Sequence, residues 1–345
     1  MISTQPVLFV PHGAPTFALR PGATGAALTA AARALARPRA IVIISAHWDT
    51  ATPTVGFADR PDTIHDFWGF PEELYALRYP ATGCREAAQE AVAALETAGL
   101  PVQTDPQRGL DHGAWIPLRL MFPDADVPVI PLSLQSQGGT EAAYRLGQAL
   151  APLTARGFLV IASGNITHNL RDFQNARRNG GQTPAYVGEF TGWIADRLAA
   201  RDLAALLDYR RQAPGAVQAH PTDEHLLPLY VALGAAGHPA RIERFHAGID
   251  DYVIAMDAYA FLPNAVFKGD QPVAVEGNLT LKGVTKPVTL TVTSFRAMPH
   301  PMLSKDAIGA NAYTVVKRSE FNAGKYAPNV SDEVRIDIAV EAIKQ

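Results

Sequence analysis

The chain carries ten histidines, and their placement is its main chemical signal. His12 follows the apolar run Val7–Val10 and Pro11, and His47 follows Ile41–Ala46. His168 comes just after Phe158–Ala162, past Ser163-Gly164-Asn165-Ile166-Thr167. Each therefore falls just beyond the C-terminal end of an expected parallel strand. Open α/β sheets bind ligands in the crevice outside those ends. Three imidazoles delivered to one rim would make a metal site.

Three further histidines sit in informative surroundings. His225 lies in Pro221-Thr222-Asp223-Glu224-His225-Leu226-Leu227-Pro228, where Thr222 suits a helix N-cap and the acids suit its first turn. Spacing alone does not decide whether Glu224 or His225 would be a ligand. His112 lies in Asp111-His112-Gly113-Ala114-Trp115, a tight entry into a helix over Trp115–Met121. An imidazole there can serve as a general acid–base. His65 belongs to the aromatic loop Thr63-Ile64-His65-Asp66-Phe67-Trp68-Gly69-Phe70. With Tyr75, that loop can flank a flat ring, so His65, Phe67, Trp68 and Tyr75 are candidate substrate contacts. His220, His238, His246 and His300 have no convergent context and read as structural. Other chemistries fit worse: G-x-S-x-G, Walker A, H-E-x-x-H and a dinucleotide glycine fingerprint are all absent.

The elements that must position these side chains follow two patterns. Up to about residue 261, short β-branched runs (Val7–Val10, Ala40–Ser45, Val127–Leu134, Phe158–Ala162, Ala240–Phe245) alternate with helix-like stretches (Gly25–Ala36, Arg85–Ala98, Thr140–Ala155, Val187–Leu207). Apolar runs without alternation indicate strands buried on both faces. The expected fold class is α/β, with a mostly parallel central sheet flanked by helices. After Phe261 the period becomes two: Val288, Leu290 and Val292 alternate with threonines, and Val334, Ile336, Ile338 and Val340 alternate with Arg335, Asp337, Ala339 and Glu341. That is a small C-terminal antiparallel β module with one dry face. The expected domains are 1–261 and 262–345.

The 345 residues include 30 Lys+Arg and 33 Asp+Glu, a net charge of −3. No basic surplus exists to grip nucleic acid. No apolar run approaches the length of a membrane helix. The single cysteine, Cys84, excludes an internal disulfide framework and cysteine-held metal clusters. Val7–Val10 is too short for a signal peptide, so the expected location is the cytoplasm.

Six segments occur in a telling order: His12-Gly13-Ala14-Pro15, Ser45-Ala46-His47-Trp48, Ile64-His65-Asp66-Phe67, Asp111-His112-Gly113-Ala114-Trp115, Ser163-Gly164-Asn165-Ile166-Thr167-His168-Asn169-Leu170 and Asp223-Glu224-His225-Leu226-Leu227-Pro228-Leu229. Together they resemble the 4,5-DOPA extradiol dioxygenase family, a branch of the class III extradiol ring-cleaving dioxygenases. The resemblance spans about residues 5–261. It implies metal ligation by His12, His47 and His225. It makes His168 a fourth ligand or an acid–base, and His112 the second active-site histidine. The divalent metal it implies is Zn(II) or Fe(II). The tail, through Val275–Val288, Lys317–Phe321 and Val334–Ala342, resembles the back half of a YceI-like lipocalin-type domain. Half a barrel has open edges. Such a tail reads as a fusion remnant, a poorly ordered segment, or strands through which the chain pairs as a homo-oligomer.

The expected activity is opening of a catecholic ring by O2, with a small aromatic substrate as partner. Two other readings remain: a zinc-dependent hydrolase on the same histidines, and a non-catalytic member of the superfamily acting as a binding protein.

Overall fold

Runs of β-branched residues without polar alternation become strands that a sheet buries on both faces. The computed structural model describes residues 4–178, 180–237, 241–263, 265–268, 271–299, 306–324 and 331–343. Fifteen strands are numbered in chain order: β1 Val7–Pro11, β2 Ala40–Asp49, β3 Thr54–Gly56, β4 Gln103–Asp105, β5 Val129–Leu134, β6 Phe158–Gly164, β7 Arg241–His246, β8 Ile249–Asp250, β9 Ile254–Ala255, β10 Ala258–Leu262, β11 Ala265–Lys268, β12 Gln271–Leu281, β13 Val284–Pro299, β14 Asp306–Lys317 and β15 Glu333–Ile343. Contacts divide the chain into two compact units, Gln5–Leu262 and one running from Pro263 onward.

The first unit holds an eight-stranded sheet in the order β4-β3-β5-β2-β6-β1-β10-β7. Its centre is parallel: β2 pairs with β5 and β6, and β6 with β1. Every residue of β1, β5 and β6 is buried. The sheet is thus mostly parallel as expected, with antiparallel pairings toward its flanks: β3 with β5, β10 with β1, and β7 with β10. The expected strand Ala240–Phe245 is therefore the antiparallel edge β7, with an exposed or half-buried pattern; Ala240 itself lies outside the described residues. Helices Gly22–Ala34, Arg85–Thr97, His112–Met121 and Gly139–Ala155 match their sequence patterns. The stretch Val187–Leu207 divides into Ala185–Ala200 and Leu203–Leu207. Arg201 takes a left-handed conformation (φ 56°), and the Asp202 side chain caps the second helix.

The second unit is a five-stranded antiparallel sheet, β11-β12-β13-β14-β15. Its alternation agrees with the sequence: Val334, Ile336 and Ile338 are half-buried while Arg335 and Asp337 are exposed. Among the described residues no helix is long and apolar enough to cross a membrane. His238 and His300 lie outside the described residues.

Candidate metal centre

Five imidazoles meet beside the ends of the central strands. His12 follows β1 directly, His47 lies near the end of β2, and His112 opens the helix His112–Met121. His225 sits in a turn. The helix expected from Thr222 starts instead at Leu227, with Pro228 in its first turn, where the missing proline N–H costs nothing. The Asp223 carbonyl accepts the N–H groups of Leu226 and Leu227. Two glycines permit this convergence. A Cβ on Gly164 would stand 2.2 Å from the His225 carbonyl oxygen, and one on Gly113 would stand 2.3 Å from Ser45 Oγ. Either clash would drive a histidine-bearing segment away from its strand.

Ring centroids of His12, His47 and His225 lie 4.9, 5.3 and 4.9 Å apart. Three imidazoles bound to one ion at roughly 2.1 Å, near tetrahedral angles, place their centroids about 5 Å apart. His112 lies 4.0 Å from His47 and 5.5 Å from His12. His168 stacks flat on His225 at 3.5 Å. Donor atoms of His12, His47 and His112 fall within 4.8 Å of one another, as do those of His168, Glu224 and His225.

Hydrogen bonds fix which ring nitrogens are bare. Ser163 gives its only proton to the Gly113 carbonyl, so it must accept one from His12 Nδ1–H at 3.0 Å. His12 Nε2 then carries a lone pair, 3.1 Å from His47 Nε2. His225 Nδ1–H donates to Glu224 Oε1 at 3.1 Å. Its Nε2 is buried with no hydrogen-bond partner. A buried bare nitrogen is costly unless something electrophilic meets it. These are the donors a divalent cation needs, each backed by a second partner that orients the ring.

Electrostatics agree. Burial first, then the neighbouring imidazoles, hold His12 and His225 well below the usual histidine value. Burial brings His47 down to about 3 and His168 to about 4. The rings are therefore neutral at neutral pH, the form that ligates. Burial pushes the Asp66 carboxyl up, but hydrogen bonds from His112 outweigh it and hold it at about 2. Asp66 accepts both the backbone N–H (2.9 Å) and Nδ1–H (3.0 Å) of His112. It also stands 3.6 Å from His47 Nδ1. Asp111, buried at the N-cap of the same helix, accepts from Ala114 N–H, Ser45 Oγ and Arg108.

The aromatic loop divides. Phe67 meets the His112 ring edge-on at 5.7 Å. His65 and Tyr75 pack behind it: His65 contacts Phe67, Tyr75 and Trp115, and its Nε2–H donates to the Leu77 carbonyl. Trp68 is 86% exposed. His220 is buried and donates from Nε2 to the Ile166 carbonyl at 2.7 Å; His246 bonds Thr24. Sequence reasoning gave no role to Asp66, Asp111 or Ser163. Asp66 stands in the quoted aromatic segment, yet its partner is 46 residues away, a distance that no local pattern spans.

Residues 22–256 match the family described as the catalytic LigB subunit of aromatic ring-opening dioxygenase. The chain belongs to the LigB family. "4,5-DOPA dioxygenase extradiol" of Beta vulgaris is 42% identical over 65% of this chain and 83% of its own length. The protein of the same name from Escherichia coli K12 is 37% identical over 68% of this chain and 87% of its own. A crystal structure of an uncharacterized protein from Escherichia coli K12 has a TM-score of 0.62 at 29% identity, covering 74% of this chain and 99% of that one. This LigB chain is an extradiol ring-cleaving dioxygenase. Its residues 251–342 match the YceI-like domain. "Protein YceI" of Salmonella arizonae is 36% identical over 25% of this chain, and the match spans 44% of that protein.

Proposed function

We propose that residues 1–261 form the catalytic domain and open the ring of a small catechol, of which L-DOPA is the first to test because the curated relatives are named for it. The observation that carries the reading is the triangle of His12, His47 and His225, with a bare buried nitrogen on His225. These three side chains would hold one divalent ion. Bound there, Fe(II) would supply coordination for the catechol and O2 and make the phenolic hydroxyls more acidic.

The remaining groups move protons and exclude water. Asp66 fixes His112 with its proton on Nδ1, which leaves the bare Nε2 to accept a proton from a catechol hydroxyl. His168, neutral and half-buried, accepts the second hydroxyl proton. Phe67 closes one wall beside His112. The C-terminal module, 262–345, serves assembly of the chain with itself rather than chemistry.

An all-imidazole donor set also suits Zn(II), so the second reading is a zinc hydrolase with His168 as fourth ligand. Metal content of protein purified without added metal separates the two. Anaerobically Fe(II)-loaded protein given L-DOPA or other catechols should consume O2 and form a yellow semialdehyde-type product. No O2 uptake across a broad catechol panel, at full iron loading, would overturn the proposal.

A further inference from the structure

We propose that the C-terminal module binds a second copy of the chain by antiparallel pairing of β15 with itself across a two-fold axis at Ile338. This deepens the self-assembly reading above.

Three observations carry it. The first is an apolar sheet face without enough cover. Strand registers place Val275, Leu290, Val316, Ile336, Ile338 and Val340 on one face. Val340 remains 52% exposed, and Ile308, on the same face, 43%. Five strands about 4.8 Å apart, from four to sixteen residues long and averaging about eleven, at roughly 3.3 Å per residue cover roughly 850 Å². That matches the ~800 Å² each partner contributes to a stable interface.

The second is topology. With five antiparallel strands, the outer strands β11 and β15 run in the same direction. A two-fold axis along the strands would pair β15, of eleven residues, with the partner's β11, of four, in parallel. A two-fold axis perpendicular to the sheet pairs β15 with β15 in antiparallel sense over their full matched length. It also keeps both apolar faces on the same side, so the joined sheet can curl around them. The YceI match, which spans 44% of that relative, agrees with a module that presents only part of a barrel.

The third is charge register. Centred on Ile338, the pairing sets Ile336 against Val340, and Arg335 against Glu341. A slip of the axis to Asp337 would set Asp337 against itself and Glu333 against Glu341, two like-charge contacts. The sequence of β15 therefore selects between neighbouring registers. β15 also carries no proline or glycine to blunt its edge.

Sedimentation of the full metal-loaded chain tests this without any activity readout, so its failure is separable from failure of the catalytic proposal. The expected species has twice the mass of one chain. Ile338→Lys, which places two ammonium groups on the axis, should give a monomer that keeps its metal. Where that variant does not fold, Ile338→Cys in a Cys84→Ser background decides. Facing Cα atoms in antiparallel strands lie about 4.5–5.5 Å apart, within disulfide range, so mild oxidation should yield covalent dimer. A monomer at every concentration, or a dimer that Ile338→Lys leaves intact and Ile338→Cys does not cross-link, would overturn the proposal.

Discussion

The two units use β-strands in opposite ways. In Gln5–Leu262 the central strands are buried on both faces, and the chemistry hangs from their ends. From Pro263 onward, Ala307, Thr314, Val316 and Phe321 are the buried side chains among the described residues. A rim of neutral imidazoles needs a rigid, dry scaffold, because a misplacement of about 1 Å breaks coordination or catalysis. The first unit supplies that scaffold. The second has a half-covered face and a long open edge, which suits association better than precise chemistry.

The comparison breaks most sharply at the ligands. Replacing His47 with alanine should reduce bound metal to background by elemental analysis and abolish turnover; unchanged metal content would remove His47 from the ligand set. Asp66→Asn should keep the metal and lower turnover by about 10²-fold, the lower range for a positioned acid–base. Wild-type turnover in that variant would refute the role of the Asp66–His112 pair.

Glycines sharpen the contrast in packing. Gly164→Ala forces a Cβ against the His225 carbonyl and should cost about 1–3 kcal/mol in unfolding experiments, with weaker metal retention. Gly277→Ala in the module meets nothing within 4 Å. It should leave stability unchanged or raise it by up to about 1 kcal/mol. Equal losses at the two sites would erase the distinction between the units.

Acid should also separate them. Burial holds His220 at about 3 against the pull of the Ile166 carbonyl, whereas an unfolded histidine titrates near 6.5. Between those values the unfolded state binds the extra proton, so stability falls as pH falls from about 6.5 toward 3, by up to about 1.4 kcal/mol per pH unit for one such group. The described residues of the module contain no histidine. Urea unfolding of metal-free protein at pH 7 and pH 5 should therefore show acid lability in the first unit; a flat profile would contradict the burial of neutral His220. The smallest effect belongs to Trp68→Ala. At 86% exposure it should change stability by less than about 0.5 kcal/mol. A raised KM for catechol would show that the indole covers bound substrate; an unchanged KM would remove Trp68 from the substrate contacts.

The amino-acid sequence determined the sheet class, the period change after Phe261 and which histidines stand at strand ends, because burial on two faces or one writes itself directly into apolar spacing. It did not determine that β7 and β10 would be antiparallel, since apolar runs carry no direction. Nor did it place the helix start at Leu227, where Pro228 and the Asp223 carbonyl prevailed over the cap at Thr222. Only the tertiary structure decided which nitrogens are bare. Ser163, Gly113 and Glu224 fix the tautomers of His12 and His225, and Asp66 that of His112, through contacts mostly spanning 46 or more residues. Donor and acceptor roles belong to pairs of groups, and such pairs exist only once the chain has folded.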